Sequence, residues 1–212
     1  MARGASGELN AVKWYAAPAK LNLFLHVLGR RADGYHELQT AMRLIDRVDR
    51  VGIASRTDGK LCRLDALPGV PPQDDLCLRA AACMKEIALA RRGSAAASLG
   101  VEIALDKRLP MGAGLGGGSS DAATVLLVLN RLWDLKLGRS ALIGHAAGLG
   151  ADVPFFLFGR DALGEGIGDR LSALELAPAW YLVLVPPVSV STRDVFAAAS
   201  LTGDRKPLKI TP

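Results

Sequence analysis

The strongest constraint on this chain is a glycine-rich segment at residues 110–121, which reads PMGAGLGGGSSD and precedes an apolar run with helical spacing. Five of the seven residues from Gly112 to Gly118 are glycine. Because glycine has no Cβ atom, it lets the backbone approach a ligand closely. The first turn of a helix offers unpaired N–H groups and the positive end of the helix dipole. The segment therefore predicts a phosphate-binding loop that leads into a helix.

Three common phosphate-binding loops do not fit this segment. A Walker A loop ends in Gly-Lys-Ser/Thr, whereas Gly118 is followed directly by Ser119. The G-x-G-x-x-G spacing of a dinucleotide-binding loop is satisfied by Gly112, Gly114 and Gly117. Such a loop follows its strand directly, but here the polar residues 106–108 intervene. A protein-kinase glycine loop continues into a strand, and this segment continues into a helix.

A flexible turn is the alternative to anion binding. In that case Ser119, Ser120 or Asp121 would cap the following helix. A cap does not need so many glycines, and each one carries an entropic cost of roughly 0.5–1 kcal/mol in ordered backbone. The glycine content therefore favours phosphate binding.

The composition excludes several functional classes. The chain has 212 residues, of which 50% are hydrophobic and 22% charged, as in a globular protein with one large domain or two small ones. The net charge of +5 is spread along the chain, so we expect no nucleic-acid partner; it suits a small polyanionic substrate. The first residues lack the apolar core of a signal peptide, and no apolar run is long enough for a membrane span, so we expect neither.

The three cysteines stand apart from one another, without the spacing of a metal site. Isolated cysteines of odd number fit a reducing compartment. We therefore expect a cytoplasmic protein that does not contact membranes.

The apolar periodicity predicts an α+β fold. Predicted strands cover residues 21–28, 37–46, 48–54, 60–65, 101–105, 161–168 and 180–185. Predicted helices cover residues 76–92, the run after the glycine loop and residues 139–149, and a further helix begins at Ser191. The helix after the loop carries an apolar stripe formed by Ala122, Val125, Leu126, Leu129 and Trp133. The strands cluster early and the helices follow singly, which favours α+β over a regular βαβ array.

Three segments in this order resemble the GHMP kinase superfamily: PAKLNLFL at residues 18–25, the glycine loop with its helix start at 110–123, and GADVPFF at 150–156. The lysine segment at 18–25, RADGYH at residues 31–36 and GADVP at 150–154 together narrow the resemblance to the members that act on a CDP-linked methylerythritol. The resemblance implies a GHMP N-terminal ATP-binding domain at residues 1–160, with a mixed sheet, helices and a left-handed βαβ unit. It also implies that residues 161–212 begin a ferredoxin-like C-terminal domain, which is incomplete in this chain.

The function that the resemblance implies is phosphorylation of the 2-hydroxyl of a CDP-linked methylerythritol, with ATP and Mg²⁺, in the non-mevalonate isoprenoid pathway. Lys20 and Asp152 match the catalytic pair of these enzymes. The chemistry is consistent with those residue types. A hydroxyl nucleophile needs a base for its proton, and a lysine stabilises the charge that spreads over the transferred phosphoryl group. A solvated lysine and a capping aspartate are the alternatives for these two positions.

The remaining site residues are implied by the resemblance in the same way. The expected ATP-binding residues are Leu76, Lys107, Pro110, Met111, Gly112, Ala113, Gly114, Leu115, Gly116, Gly117, Gly118, Ser119 and Ser120, with Leu76, Lys107 and Met111 at the adenine. The expected substrate-binding residues are Asn22, Tyr35, His36, Thr192 and Phe196, of which Tyr35, His36 and Phe196 would surround the cytosine. No side chain is identified as a ligand of Mg²⁺.

Other functions stay open at this point. Another GHMP small-molecule kinase, acting on homoserine or mevalonate, is disfavoured because a cytidine pocket at Tyr35 and His36 would be useless to it. An inactive nucleotide-binding fragment is a second alternative, and a structural domain whose loop binds nothing is a third. The expected partners are ATP and the small-molecule substrate, and the expected state is a monomer or a weak homodimer.

Overall fold

A computed structural model describes residues 11–186 and 206–208 of the chain. Its strands form one mixed sheet. They are β1 (Lys13–Arg30), β2 (His36–Arg56), β3 (Leu61–Arg63), β4 (Gly100–Asp106), β5 (Ala162–Gly166) and β6 (Arg170–Ala173). The helices are α1 (Leu76–Arg92), α2 (Gly117–Leu132), α3 (Arg139–Ala146) and α4 (Val153–Phe158), with short 3-10 turns at Pro72–Asp74 and Gly93–Ala96. The predicted α+β content is confirmed.

The long strand β2 organises the sheet. Antiparallel β1 follows one edge of β2 over nearly its whole length. The other edge of β2 is shared, because antiparallel β4 pairs with residues 50–56 and antiparallel β5 pairs with residues 38–42. β3 runs parallel to β4, so α1 is the helix of a β3–α1–β4 crossover. The core lies where the helices cover this sheet.

Helix α2 supplies the centre of the core. Its predicted stripe is confirmed, since Ala122, Val125, Leu126 and Leu129 are fully buried and Trp133 is 3% exposed. The stripe packs with Val51, Ile53 and Ile103 of the sheet in one hydrophobic cluster. A helix whose apolar residues recur every three or four positions buries one face and gains most of its stability from that packing.

The structure differs from the sequence-based prediction at two strands. The predicted strands 37–46 and 48–54 are one continuous strand, because β1 pairs along both and an irregularity in register between Pro18 and Ala19 absorbs two extra residues of β2. The predicted strand at 180–185 is wrong, since residues 174–186 lie in no helix or strand. Trp180, Leu182 and Leu184 are largely exposed there, and no described strand pairs with them.

The region after residue 160 continues the sheet through β5 and β6. The domain boundary at residues 160 and 161 remains a prediction. The predicted helix at Ser191, with Thr192 and Phe196, lies outside the described residues. Of the helices in the described part of the chain, none has the length and apolar character to cross a membrane.

Candidate active site

The glycine loop connects β4 to α2 and leaves the start of the helix open to a ligand. Gly112, Gly114 and Gly116 have φ angles of 72°, 74° and 73°, a conformation that other residues adopt only with strain. Gly116 is the N-cap of α2, and no side chain forms a capping hydrogen bond there. Neither Ser119, Ser120 nor Asp121 therefore caps the helix, and the amide groups of its first turn keep their capacity to bind an anion.

The glycines of the loop have different roles. A Cβ atom on Gly116 would lie 2.8 Å from Cζ of Phe156, so this glycine permits close packing against the core. A Cβ atom on Gly118 would meet only Cδ1 of Leu76, at an ordinary 3.7 Å. At Gly114, apart from its two chain neighbours, no atom of the described residues lies within 4 Å of that position. The loop therefore packs tightly against Phe156 at Gly116. At Gly114 and Gly118 there is space on the side of the backbone where a Cβ atom would lie.

A cavity of about 360 Å³ lies over the loop. Most of the predicted nucleotide-binding residues line it, namely Leu76, Lys107, Pro110, Met111, Gly112, Ala113, Gly114, Leu115, Gly116, Gly117, Gly118 and Ser119. Asp152 also lines it, while Ser120 is buried behind the loop. Sequence reasoning missed Leu67, Val70 and Leu105, which also line the cavity. No local pattern singles these three out, because they reach the cavity only through the tertiary fold.

Lys20 and Asp152 come together beside the glycine loop. Nζ of Lys20 lies 3.4 Å from Oδ2 of Asp152, although the two residues are on β1 and at the start of α4. The Lys20 amide donates to the carbonyl of Leu115 at 3.0 Å, which ties β1 to the loop. Asp152 forms no capping hydrogen bond to α4, and its side chain is 36% exposed. Its carboxylate is thus accessible from the cavity and held near a positive charge.

Asn22 lies next to this pair. Its side-chain oxygen accepts a hydrogen bond from Nζ of Lys20, two residues earlier on β1. An extra residue in β1 between Asn22 and Phe24 shifts the strand register at this point. Such bulges commonly re-aim side chains next to functional sites. Asn22, predicted as a substrate contact, therefore holds the lysine ammonium in the described structure.

A second group of charged side chains, formed by Lys107, Asp49 and Asp121, lies beneath the loop. The sequence did not predict that these three residues meet. Nζ of Lys107 donates to Oδ2 of Asp121 at 2.9 Å and to Oδ2 of Asp49. Oδ1 of Asp49 also accepts from the backbone amides of Arg108 at 2.6 Å and Leu109 at 2.8 Å. A Cβ atom on Gly117 would be 3.1 Å from Asp49 and 3.2 Å from Lys107, so the charges are in contact with the loop backbone.

The buried charges shift one another's protonation. Burial by itself lowers the pKa of the Lys107 ammonium, but the carboxylates of Asp121 and Asp49 outweigh it and raise that pKa. Burial raises the pKa of the Asp121 carboxyl to about 6, against the opposing effect of Lys107. A sequence signal for Asp49 did exist, because strand alternation places it on the same face as the core residues Val51 and Ile53.

Asp75 caps helix α1 at the edge of the cavity. Its carboxylate accepts from the amides of Cys77 at 2.8 Å and Leu78 at 3.2 Å. Nη1 of Arg63 lies 3.4 Å from the other carboxylate oxygen, and both side chains are at least 90% buried. The cap and the ion pair fix the N-terminus of α1, which carries Leu76 into the cavity wall.

Tyr35 and His36 lie away from the cavity, at the turn between β1 and β2. Asp33 accepts a hydrogen bond from the amide of Tyr35 at 3.1 Å, and Gly34 has a φ angle of 87°. His36 pairs with Arg30 at the end of the hairpin, ten residues along β1 from Lys20. Tyr35 is 62% exposed and its ring is available for stacking. Thr192 and Phe196, predicted as partners of this turn, lie outside the described residues.

The described residues contain no group of three or more His, Cys, Asp or Glu side chains that could hold a metal ion. Mg²⁺ commonly binds through one or two protein oxygens together with substrate phosphates and waters, so it does not require such a group.

Comparison with known proteins identifies the fold family. Residues 75–160 match the GHMP kinases N terminal domain. Over 195 residues the chain is 56% identical to 4-diphosphocytidyl-2-C-methyl-D-erythritol kinase of Burkholderia mallei. Residues 75–160 thus form a GHMP kinase N-terminal domain, and the chain is similar to kinases of this family over most of its length. The alignment covers 92% of this chain and 64% of that relative, so the chain spans less than two thirds of the length of the curated relatives it matches.

Solved structures of GHMP kinases agree with this assignment. A crystal structure of 4-(cytidine 5'-diphospho)-2C-methyl-D-erythritol kinase matches with a TM-score of 0.72 and 40% identity, covering 88% of this chain and 64% of that one. A crystal structure of homoserine kinase from Cytophaga hutchinsonii matches with a TM-score of 0.58 and 20% identity, covering 93% and 62%. At 20% identity, the match to homoserine kinase shows a similar fold and nothing more. The predicted GHMP N-terminal fold is confirmed.

Proposed function

We propose that this GHMP kinase transfers the γ-phosphoryl group of ATP to the 2-hydroxyl of 4-(cytidine 5'-diphospho)-2-C-methyl-D-erythritol. The observation that carries the proposal is the 3.4 Å approach of Lys20 and Asp152 beside an uncapped, glycine-rich helix start. The name of the 56% identical relative supports this choice of substrate. The turn at Tyr35 and His36 adds an exposed aromatic ring on which a cytosine could stack.

In the proposed reaction the carboxylate of Asp152 accepts the proton of the attacking hydroxyl. Its exposed position at the cavity gives a substrate access to the carboxylate oxygens. The ammonium of Lys20, held by Asn22, stabilises the charge on the transferred phosphoryl group. The amides of the first turn of α2 bind the phosphates.

Mg²⁺ belongs to this proposal as part of the nucleotide complex. When bound, it would neutralise charge on the β- and γ-phosphates. Its ligands would be mainly phosphate oxygens and water, as is common for Mg²⁺ bound with a nucleotide. The chain's own contribution is to position the phosphates and to accept the proton.

The test is ADP release from ATP and Mg²⁺ in the presence of the CDP-linked substrate. We expect turnover by the wild-type chain and its loss in Asp152→Asn and in Lys20→Met. Asp134→Asn is a matched control, because Asp134 also lies near a lysine, at 3.6 Å from Lys136, on the exposed surface. This control should retain full activity.

The other outcomes distinguish the alternatives. Turnover with homoserine or mevalonate, but not with the cytidylated substrate, would contradict the substrate assignment. A rise in melting temperature with an ATP analogue, without turnover of any substrate, would support a nucleotide-binding fragment instead. If no nucleotide altered the melting temperature, the loop would have only a structural role.

A further inference from the structure

The carboxylate of Asp121 is in an unusual position beneath the glycine loop. It is 1% exposed, yet it belongs to the lining of the cavity over the loop. Its Oδ2 accepts a hydrogen bond from Lys107 at 2.9 Å. Its Oδ1 is buried and receives no hydrogen bond from any described residue. A buried carboxylate oxygen without a donor is costly when it carries charge, because water no longer solvates it.

The positive side chains around Asp121 do not balance the negative ones. Lys107 is shared with Asp49, so two buried carboxylates face one ammonium. Asp75, at the start of α1, is already paired with Arg63 of β3. The remaining titratable neighbour on α1 is the Cys77 thiol, whose pKa burial raises well above its usual value, so it stays neutral. The floor of the loop thus carries an excess of one negative charge when Asp121 is ionised.

A bound phosphate would raise this electrostatic cost. Asp121 lines the same cavity as Gly117, Gly118 and Ser119 of the first turn of α2, whose backbone amides have no partner within the helix. A nucleotide phosphate bound by those amides would add negative charge to the cavity that Asp121 lines. Like charges at short range favour the neutral form of the weaker acid.

We propose that Asp121 takes up one proton from solvent, at Oδ1, when nucleotide phosphates bind to the glycine loop. This inference rests on the proposed function for the presence of a nucleotide. Protonation removes the excess negative charge of the floor. It leaves Lys107 paired with Asp49 alone and turns Oδ1 into a donor toward the cavity.

The expected size follows from the free-state pKa of about 6 for this carboxyl. If the phosphates raise that pKa by one further unit, about 0.4 proton is taken up per nucleotide at pH 7. By the same linkage, binding becomes about fivefold weaker at pH 8 than at pH 6. A larger shift increases both effects.

The experiment is calorimetric titration of the chain with the Mg²⁺ complex of a non-hydrolysable ATP analogue. It is run at pH 7 in buffers of different ionisation enthalpy, which reports the protons exchanged on binding. We expect proton uptake by the wild-type chain and its loss in Asp121→Asn. Protons exchanged by the nucleotide itself are common to both proteins and cancel in the difference.

Asp106→Asn is the matched control. Asp106 lies at the other end of the loop, on β4, and hydrogen bonds from the exposed guanidinium of Arg108 lower its pKa, so it stays ionised throughout. This variant should take up as many protons as the wild type. Equal proton uptake by Asp121→Asn and the wild type would overturn the proposal. Absence of binding by all three proteins would contradict the proposed function itself, which separates the two failures.

A second measurement needs no variant. The carboxyl carbon of Asp121 can be followed by NMR as a function of pH, with and without the nucleotide complex. We expect its titration midpoint to move upward by one unit or more when the nucleotide is bound. An unchanged midpoint under saturating nucleotide would overturn the proposal even if Asp121→Asn failed to fold.

Discussion

Two groups of lysine and aspartate lie on either side of the glycine loop, and they differ in how far their charges are satisfied. Beside the loop, Asp152 is 36% exposed and lies 3.4 Å from Lys20, its one cationic contact among the residues that the structure describes. Beneath the loop, Asp49 is fully buried and accepts from the amides of Arg108 and Leu109 as well as from Lys107. Lysine and aspartate are therefore in two different environments here: the carboxylate of Asp152 is open to the cavity, and that of Asp49 is bonded within the protein.

This difference in exposure indicates which carboxylate a substrate proton can reach. A general base needs an oxygen that a substrate proton can reach, and Asp152 has one at the cavity. Oδ1 of Asp49 already accepts hydrogen bonds from the backbone amides of Arg108 and Leu109, which lead into the loop. Asp49 therefore holds the loop in place. Asp121 lies between these extremes, because one of its oxygens is satisfied and the other is not. The following predictions test this contrast, beginning with the largest expected effect.

Replacement of the exposed aspartate should affect turnover and leave stability almost unchanged. We expect Asp152→Asn to reduce kcat by about 10²–10⁴-fold, since a positioned general base contributes about that factor. The melting temperature should stay within a degree or two of the wild type, because Asp152 caps no helix. Steady-state kinetics and a thermal melt measure the two quantities. A fall in stability that matched the loss of activity would mean that Asp152 is structural.

Replacement of the buried aspartate should show the opposite pattern. Asp49→Ala removes a partner of Lys107 and leaves two backbone amides without their acceptor. Lys107 keeps Asp121 as its partner, so we expect the free energy of unfolding to fall by about 2–5 kcal/mol, because a buried amide without an acceptor costs about 1–3 kcal/mol. Urea denaturation followed by circular dichroism gives this value. A loss below 1 kcal/mol would contradict the role of Asp49 as the support of the loop.

The two glycines that fix and open the loop provide a matched pair. Gly116→Ala places a Cβ atom 2.8 Å from Phe156 at a positive φ angle, so we expect a destabilisation of about 2–4 kcal/mol. Gly118→Ala meets no such obstacle, and alanine is favoured over glycine in a helix by about 1 kcal/mol. It should keep or raise stability while weakening nucleotide binding, about tenfold for a cost of about 1.4 kcal/mol. Denaturation and binding titrations on both variants check this, and tight nucleotide binding by Gly118→Ala would contradict a phosphate site at that glycine.

The smallest expected effect concerns the pH dependence of stability. The pKa of Asp121 is raised to about 6 in the folded chain, above the unfolded value of about 3.9. Its stabilising contribution is therefore complete below about pH 3.9 and is lost as the pH rises through 6. Between pH 5 and pH 8 this single group should reduce the free energy of unfolding by about 1.4 kcal/mol. Denaturation at both pH values should show this difference in the wild type and a smaller one in Asp121→Asn; equal differences would show that Asp121 is not the titrating group.

Much of the fold could be predicted because its signals are local. The helix at 76–92 and the apolar stripe of α2 follow from spacing along the chain, since one face of each helix must be buried. The strand predicted at 180–185 had the right alternation and was still wrong, because a strand also needs a partner to pair with. The fusion of residues 37–46 and 48–54 into β2 was likewise decided by β1 beside it.

For the site, the sequence by itself determined that a glycine-rich loop leads directly into a helix, which predicts phosphate binding, and the resemblance pointed to Lys20 and Asp152. Only the tertiary structure decided that these two residues meet at 3.4 Å, that Lys107 is shared by Asp49 and Asp121, and that Gly116 and Gly118 play different roles. The reason is that charge pairing and burial depend on distances between residues far apart in the chain. Local pattern carries no information about those distances until the sheet and helices have packed.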